Sequence, residues 1–123
     1  MKHAFVVVVI LALVPARRVH ADANADNAEQ SVVMLEQIAT IVDTNKDNCD
    51  VMGDKLGAYM DKNGEKMKKL KASGKTVSAE QKKAFQEKYK DRMKAMSEKM
   101  MPGMQKCSGN AKVSAVMKKA TAS

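Results

Sequence analysis

The sequence predicts an all-α fold: a three- to four-helix up-down bundle built on a disulfide-linked antiparallel helical hairpin. Three observations carry this. Beyond its N-terminal leader the chain is rich in Lys, Glu, Met, Ala and Gln, all good helix formers, with almost no strand pattern. Apolar residues recur at helical spacing in successive segments separated by turn residues. The two cysteines fall into the same hairpin register as the apolar rows.

The leader comes first. "MKH" is a short basic start, and "AFVVVVILALV" is an apolar run of signal-peptide length, too short to span a bilayer comfortably. "PARRVHADA" breaks the run and supplies small residues. Val19-His20-Ala21 and Ala21-Asp22-Ala23 both fit the small-x-small cleavage pattern. Residues 1–21 therefore read as a signal peptide, cut after Ala21 or Ala23. Arg17 and Arg18 are unusual there, and an uncleaved N-terminal anchor is the alternative. Residues 24–123 then form one helical domain, periplasmic or secreted. A domain of about 100 residues buries a modest core, so a staple matters. Cys49 and Cys107 both lie in the exported part and pair most simply as one disulfide.

The first helix is expected over residues 27–42, with Val32, Leu35, Ile38 and Val42 as its apolar stripe and Met34 and Ile41 alongside. Residues 45–48 break it. The second helix spans residues 49–72, with Met52, Leu56, Tyr59, Met60, Met67 and Leu70 on one face, and Gly74 suits a left-handed cap. Ser78 with Gln81 is a capping-box pattern that opens the third helix. Its stripe is Phe85, Tyr89, Met93, Met96, Met100, Met104 and Cys107. Pro102 predicts a kink or break near Met100 and Met101. Asn110 then caps a short fourth helix carrying Val113, Val116 and Met117.

Facing residues of an antiparallel hairpin have a constant sum of positions. Cys49 with Cys107, Met52 with Met104, Leu56 with Met100, Met60 with Met96 and Met67 with Tyr89 share one sum. One register thus unites the cysteines and the apolar rows. It also demands that the third helix begin about five residues beyond the level of the second helix's end, roughly 7–8 Å.

Residues 24–123 contain no histidine, which removes the usual triad base and haem ligand. There is no G-x-S-x-G and no glycine-rich phosphate loop. A non-enzyme without a resident cofactor is expected. "VDTNKDNCD" places Asp43, Asn45 and Asp47 like the front of a calcium loop. However, Asn48 stands where the turn glycine belongs and Asp54 where the bidentate Glu belongs. A turn with a helix cap explains the stretch better than Ca2+ does.

Ten methionines follow the leader against three leucines. Thioethers favour Cu(I), so Met96, Met100, Met101 and Met104 are candidate Cu(I) or Ag(I) ligands. Core filling is the competing use, because all but Met101 lie on the predicted stripe.

Charge is uneven. Residues 22–54 hold eight acids and one lysine, whereas residues 61–94 hold twelve basic residues and five acids. The two regions can neutralise each other within the fold. Lys62, Lys66, Lys68, Lys69, Lys71, Lys75, Lys82 and Lys83 nonetheless gather at the hairpin tip, where neighbours cover them least. Such a tip attracts acidic surfaces: a protein client, an acidic polysaccharide or an anionic membrane. Nucleic acid is not expected of an exported chain so poor in aromatics.

"VSAEQKKAFQEKY" resembles the LTxxQ motif of small periplasmic stress chaperones of the Spy/CpxP type. Val77, Ser78 and Gln81 stand for its Leu, Thr and Gln. The match covers about a tenth of the chain, and the motif occurs once where those proteins carry it twice. The arrangement of leader, acidic helix and two-cysteine basic hairpin also resembles small bacterial secreted proteins. The chaperone resemblance implies an all-helical exported protein that binds unfolded clients without ATP. The expected function is accordingly that of a non-catalytic exported binding protein, chaperone-like or envelope-associated. A methionine-rich Cu(I) binder and a cationic membrane-active hairpin are the alternatives.

Overall fold

The computed structural model describes residues 15–122, with side chains over residues 23–120. Among these it shows α1 (Pro15–Thr44), α2 (Cys49–Gly74), α3 (Ala79–Cys107) and α4 (Ala111–Ala122), and no strand. The expected all-α class and the disulfide-linked helical framework are both present, with Cys49 and Cys107 joined and their Cα atoms 5.3 Å apart. No helix among the described residues is long and apolar enough to cross a membrane. The apolar run at residues 4–14, on which the leader expectation rests, lies outside the described residues.

Local chemistry sets most helix ends. Ser78 closes a full capping box: Gln81 N donates to Ser78 Oγ at 3.2 Å, and Ser78 N donates to Gln81 Oε1 at 3.1 Å. Asn48 accepts from Val51 N at the start of α2, and Asn110 accepts from Lys112 N and Val113 N at the start of α4. Three ends differ from expectation. α1 extends back to Pro15 rather than starting near residue 27, because "ADANADNA" is helix-compatible. Gly74 is not a left-handed cap. It is the last residue of α2, no described glycine has positive φ, and the right-handed turn at Lys75 closes the helix, with Lys75 N donating to Ala72 O and Thr76 N to Ser73 O. α3 continues through Pro102 without a break. Pro102 and Glu98 are both exposed, so water can take the Glu98 carbonyl that the missing N–H leaves free.

The helices contact one another in the order α3, α1, α2, α4. α1 runs antiparallel to α2 and parallel to α3. Asn24 meets Gln81, Glu29 and Glu36 meet Arg92, and Thr40 meets Lys99. α4 runs parallel to α2, where Asp54 meets Lys112 and Asp61 meets Lys119. The α3–α4 arm therefore straddles the α1–α2 hairpin. Two glycines permit the closest approaches. A Cβ on Gly103 would stand 2.6 Å from Val42 Cγ1, and one on Gly53 would stand 2.6 Å from Lys112 Cβ.

The core has two parts. Val42, Met52, Leu56, Cys107 and Val113 form the first, with Met100 and Met104 packed against it. Val32, Ala39, Tyr89 and Met96 form the second, flanked by Phe85 and Met100. The predicted pairing thus holds for Cys49 with Cys107, and Met52, Leu56, Met100 and Met104 share the core cluster around that bond. Above that level α1 enters between the two helices. Met96 and Tyr89 turn to α1, while Met60 and Met67 line a cleft toward α4. The same geometry exposes Leu35 (40 %) and Met93 (42 %), both expected on the apolar stripes. α1 serves two neighbours through Val32, Met34, Ala39 and Val42, and that wider face leaves Leu35 outside.

Candidate functional site

Most acids of the first half of the chain have a basic or amide partner. Arg92 of α3 donates to both Glu29 oxygens at 2.9 and 2.8 Å, and to Glu36 as well. Glu29 and Glu36 stand seven residues apart on α1, so one guanidinium clamps two turns of helix. The Arg92 guanidinium holds the Glu29 carboxyl below its ordinary range. The buried Tyr89 hydroxyl adds a weaker pull without completing a hydrogen bond. Glu36 and Glu29 in turn raise the basicity of Arg92. Around the base, Asp47 pairs with Lys106 at 3.0 Å, and that ammonium lowers the Asp47 carboxyl. Asp54 pairs with Lys112 and Asp61 with Lys119, each at 3.1 Å, while Asp50 accepts from Asn110 at 2.9 Å.

The neutralisation expected within the fold is therefore carried by Arg92, Lys106, Lys112 and Lys119. The tip lysines take little part in it. Lys62, Lys66, Lys68, Lys69, Lys71, Lys75, Lys82 and Lys83 are all exposed. Setting Lys71 aside, the other seven form no ion pair among the described residues. Two acids, Glu65 and Glu80, share that stretch of sequence. The upper half of α2, the 75–78 turn and the first turn of α3 thus present a net positive surface.

Beneath this surface lies a groove of about 260 Å³ between α1, the end of α2 and the start of α3. Ala28, Leu70, Val77 and Phe85 give it apolar walls, and Lys82 stands at its side. A second cleft between α1 and α2 is closed on one side by Tyr59, whose hydroxyl donates to Gln37 Oε1 at 2.6 Å. Partial burial raises the Tyr59 pKa.

The Asp43–Asp47 stretch serves the turn. Asn45 is buried and donates from Nδ2 to Ile41 O at 2.7 Å, while Asp43 pairs with Lys46 and Asp47 with Lys106. Among the described residues no group of three or more His, Cys, Asp or Glu is placed to hold a metal. The four methionines named as soft-metal candidates do not share one environment. Met96 belongs to the second core cluster, Met104 packs on the first, Met100 touches both, and Met101 is 55 % exposed.

The lysines and the cysteines were readable in the sequence, and two features were missed. The Arg92 clamp was signalled by the i,i+7 spacing of Glu29 and Glu36. The groove had no signal, since it depends on α1 entering between α2 and α3. No protein-family model matches the chain, and neither a curated protein nor a solved structure shows significant similarity to it.

Proposed function

We propose that this protein is a non-catalytic, exported helical binding protein that captures acidic surfaces of macromolecular clients through its basic tip, in a chaperone-like manner. The observation that carries the reading is the contrast in charge pairing. Glu29, Glu36 and Asp43 of α1 and the acids at the base have partners, whereas seven tip lysines have none among the described residues. Net positive charge at one end costs stability through self-repulsion, and a binding role accounts for its retention. The resemblance of Val77, Ser78 and Gln81 to the LTxxQ motif supports a client-binding role. The leader and the Cys49–Cys107 pair support a periplasmic or secreted location. The lack of histidine in residues 24–123 supports a role without acid–base chemistry.

The test is suppression of aggregation of a reduced, acidic globular protein. The protein should slow that aggregation, less so at high salt, and lose the effect when the seven lysines become Gln. A basic client should gain nothing. Equal protection of both clients, or full protection by the Gln variant, would remove the reading. Leakage of anionic vesicles at the same concentrations would instead favour membrane action.

A further inference from the structure

We infer that the tip groove is a socket for an apolar side chain on an acidic protein segment, so that the site reads alternating acidic and apolar residues rather than charge alone. The inference rests on the proposed binding role of the tip and adds the chemistry of the partner. Its basis is the placement of two features side by side. Leu70, Val77, Phe85 and Ala28 are half-buried and form a concave apolar surface, while Lys82 lines the same groove. Lys75 and Lys83 adjoin it in sequence and are exposed. The volume of about 260 Å³ is below the lower end of small-molecule pockets, about 300 Å³, and suits one or two inserted side chains. Asn27, Ser31, Ser73 and Gln86 supply polar groups around the apolar floor, as a peptide backbone requires.

The same geometry disfavours a membrane as the partner. Interfacial anchoring needs large apolar side chains that project outward beside the basic ones. Among the described residues the exposed large apolar side chains are Val33, Leu35, Met93, Met101 and Met117, none of them in the tip stretch. At the tip the apolar side chains line a concavity. Charge complementarity then selects an acidic segment, and the concavity selects an apolar residue within it.

The experiment compares two labelled synthetic peptides of equal length by fluorescence anisotropy. One is all glutamate, and the other has leucine in place of every fourth glutamate. The protein should bind the leucine peptide about tenfold or more tightly, as expected for burying one such side chain. Ser73→Leu fills the groove and should abolish the preference for the leucine peptide. Val77→Ser should reduce the preference, and circular dichroism melts confirm that both variants fold. Equal affinity for the two peptides overturns the socket and leaves the tip reading standing. A leucine preference that survives Ser73→Leu also overturns it. Binding of neither peptide overturns both. Tighter association with phosphatidylglycerol vesicles than with either peptide, unchanged by Ser73→Leu, overturns the choice of a protein partner.

Discussion

Gly103 of α3 lies directly on Val42 of α1: a Cβ at position 103 would come within 2.6 Å of Val42 Cγ1 and 2.9 Å of Val42 O. One of those atoms is backbone, so the neighbour cannot simply rotate away. Gly103→Ala gains helix propensity of about 1 kcal/mol and must still separate the two helices. The net expectation is destabilisation by about 1–3 kcal/mol in urea unfolding, the range for overpacking. A Cβ on Gly64 would meet nothing within 4 Å, so Gly64→Ala should stabilise by about 0.5–1 kcal/mol. Opposite signs at the two glycines would show that the α1–α3 crossing is as close as described.

The Cys49–Cys107 bond ties the start of α2 to the end of α3 across a sequence separation of 58. Chain entropy for a loop of that length predicts about 4 kcal/mol of stabilisation. Replacing both cysteines by serine should lower the urea midpoint and raise m, because the unlinked unfolded chain is more expanded. An unchanged midpoint would mean that the α1-centred packing carries the fold without the bond.

Arg92 predicts an acid limb. Its contact lowers the Glu29 carboxyl, and Lys106 does the same for Asp47. A lowered carboxyl in the folded state contributes stability that is fully present above its unfolded value. That contribution is lost as pH falls through the folded value. The thermal midpoint should therefore hold above about pH 5 and decline below about pH 4. Arg92→Met should lower the neutral-pH midpoint and flatten the acid decline. Loss of midpoint with the acid limb intact would assign that limb to other groups.

The methionines separate by burial. Met96 is 6 % exposed within the second cluster, and Met101 is 55 % exposed. Met96→Ala should cost about 2–5 kcal/mol, whereas Met101→Ala should stay within about 0.5 kcal/mol. Cu(I) titration of the Met101→Leu variant addresses the soft-metal alternative, because Met101 is the one candidate thioether outside the core. Uptake by the wild type that vanishes in Met101→Leu would revive that alternative.

Much of this architecture was legible in local chemistry. Ser78 with Gln81 and Asn110 are caps whose signal is complete within four residues, and each stands where expected. The cysteine register was legible because Cys49 and Cys107 are joined near the base, where Met52, Leu56, Met100 and Met104 share one core cluster. It failed above Leu56 because α1 also carries an apolar face, and a pairwise sum has no place for a third helix. Leu35 and Met93 were misplaced for the same reason. The start of α1 was obscured because "ADANADNA" suits both a cleavage region and a helix. The lysine tip was visible as composition. Its lack of partners was not, since that depends on Arg92, Lys106, Lys112 and Lys119 taking the acids instead.

The claim that the unpaired tip lysines form the binding surface is tested most directly by one titration. Wild type and a variant with Lys62, Lys66, Lys68, Lys69, Lys75, Lys82 and Lys83 changed to Gln are titrated with poly-glutamate at low and high salt. Salt-sensitive binding by the wild type and none by the variant, with the same helicity in both, is the predicted result. Binding of equal strength by the variant would place the acidic-partner surface elsewhere and contradict the claim.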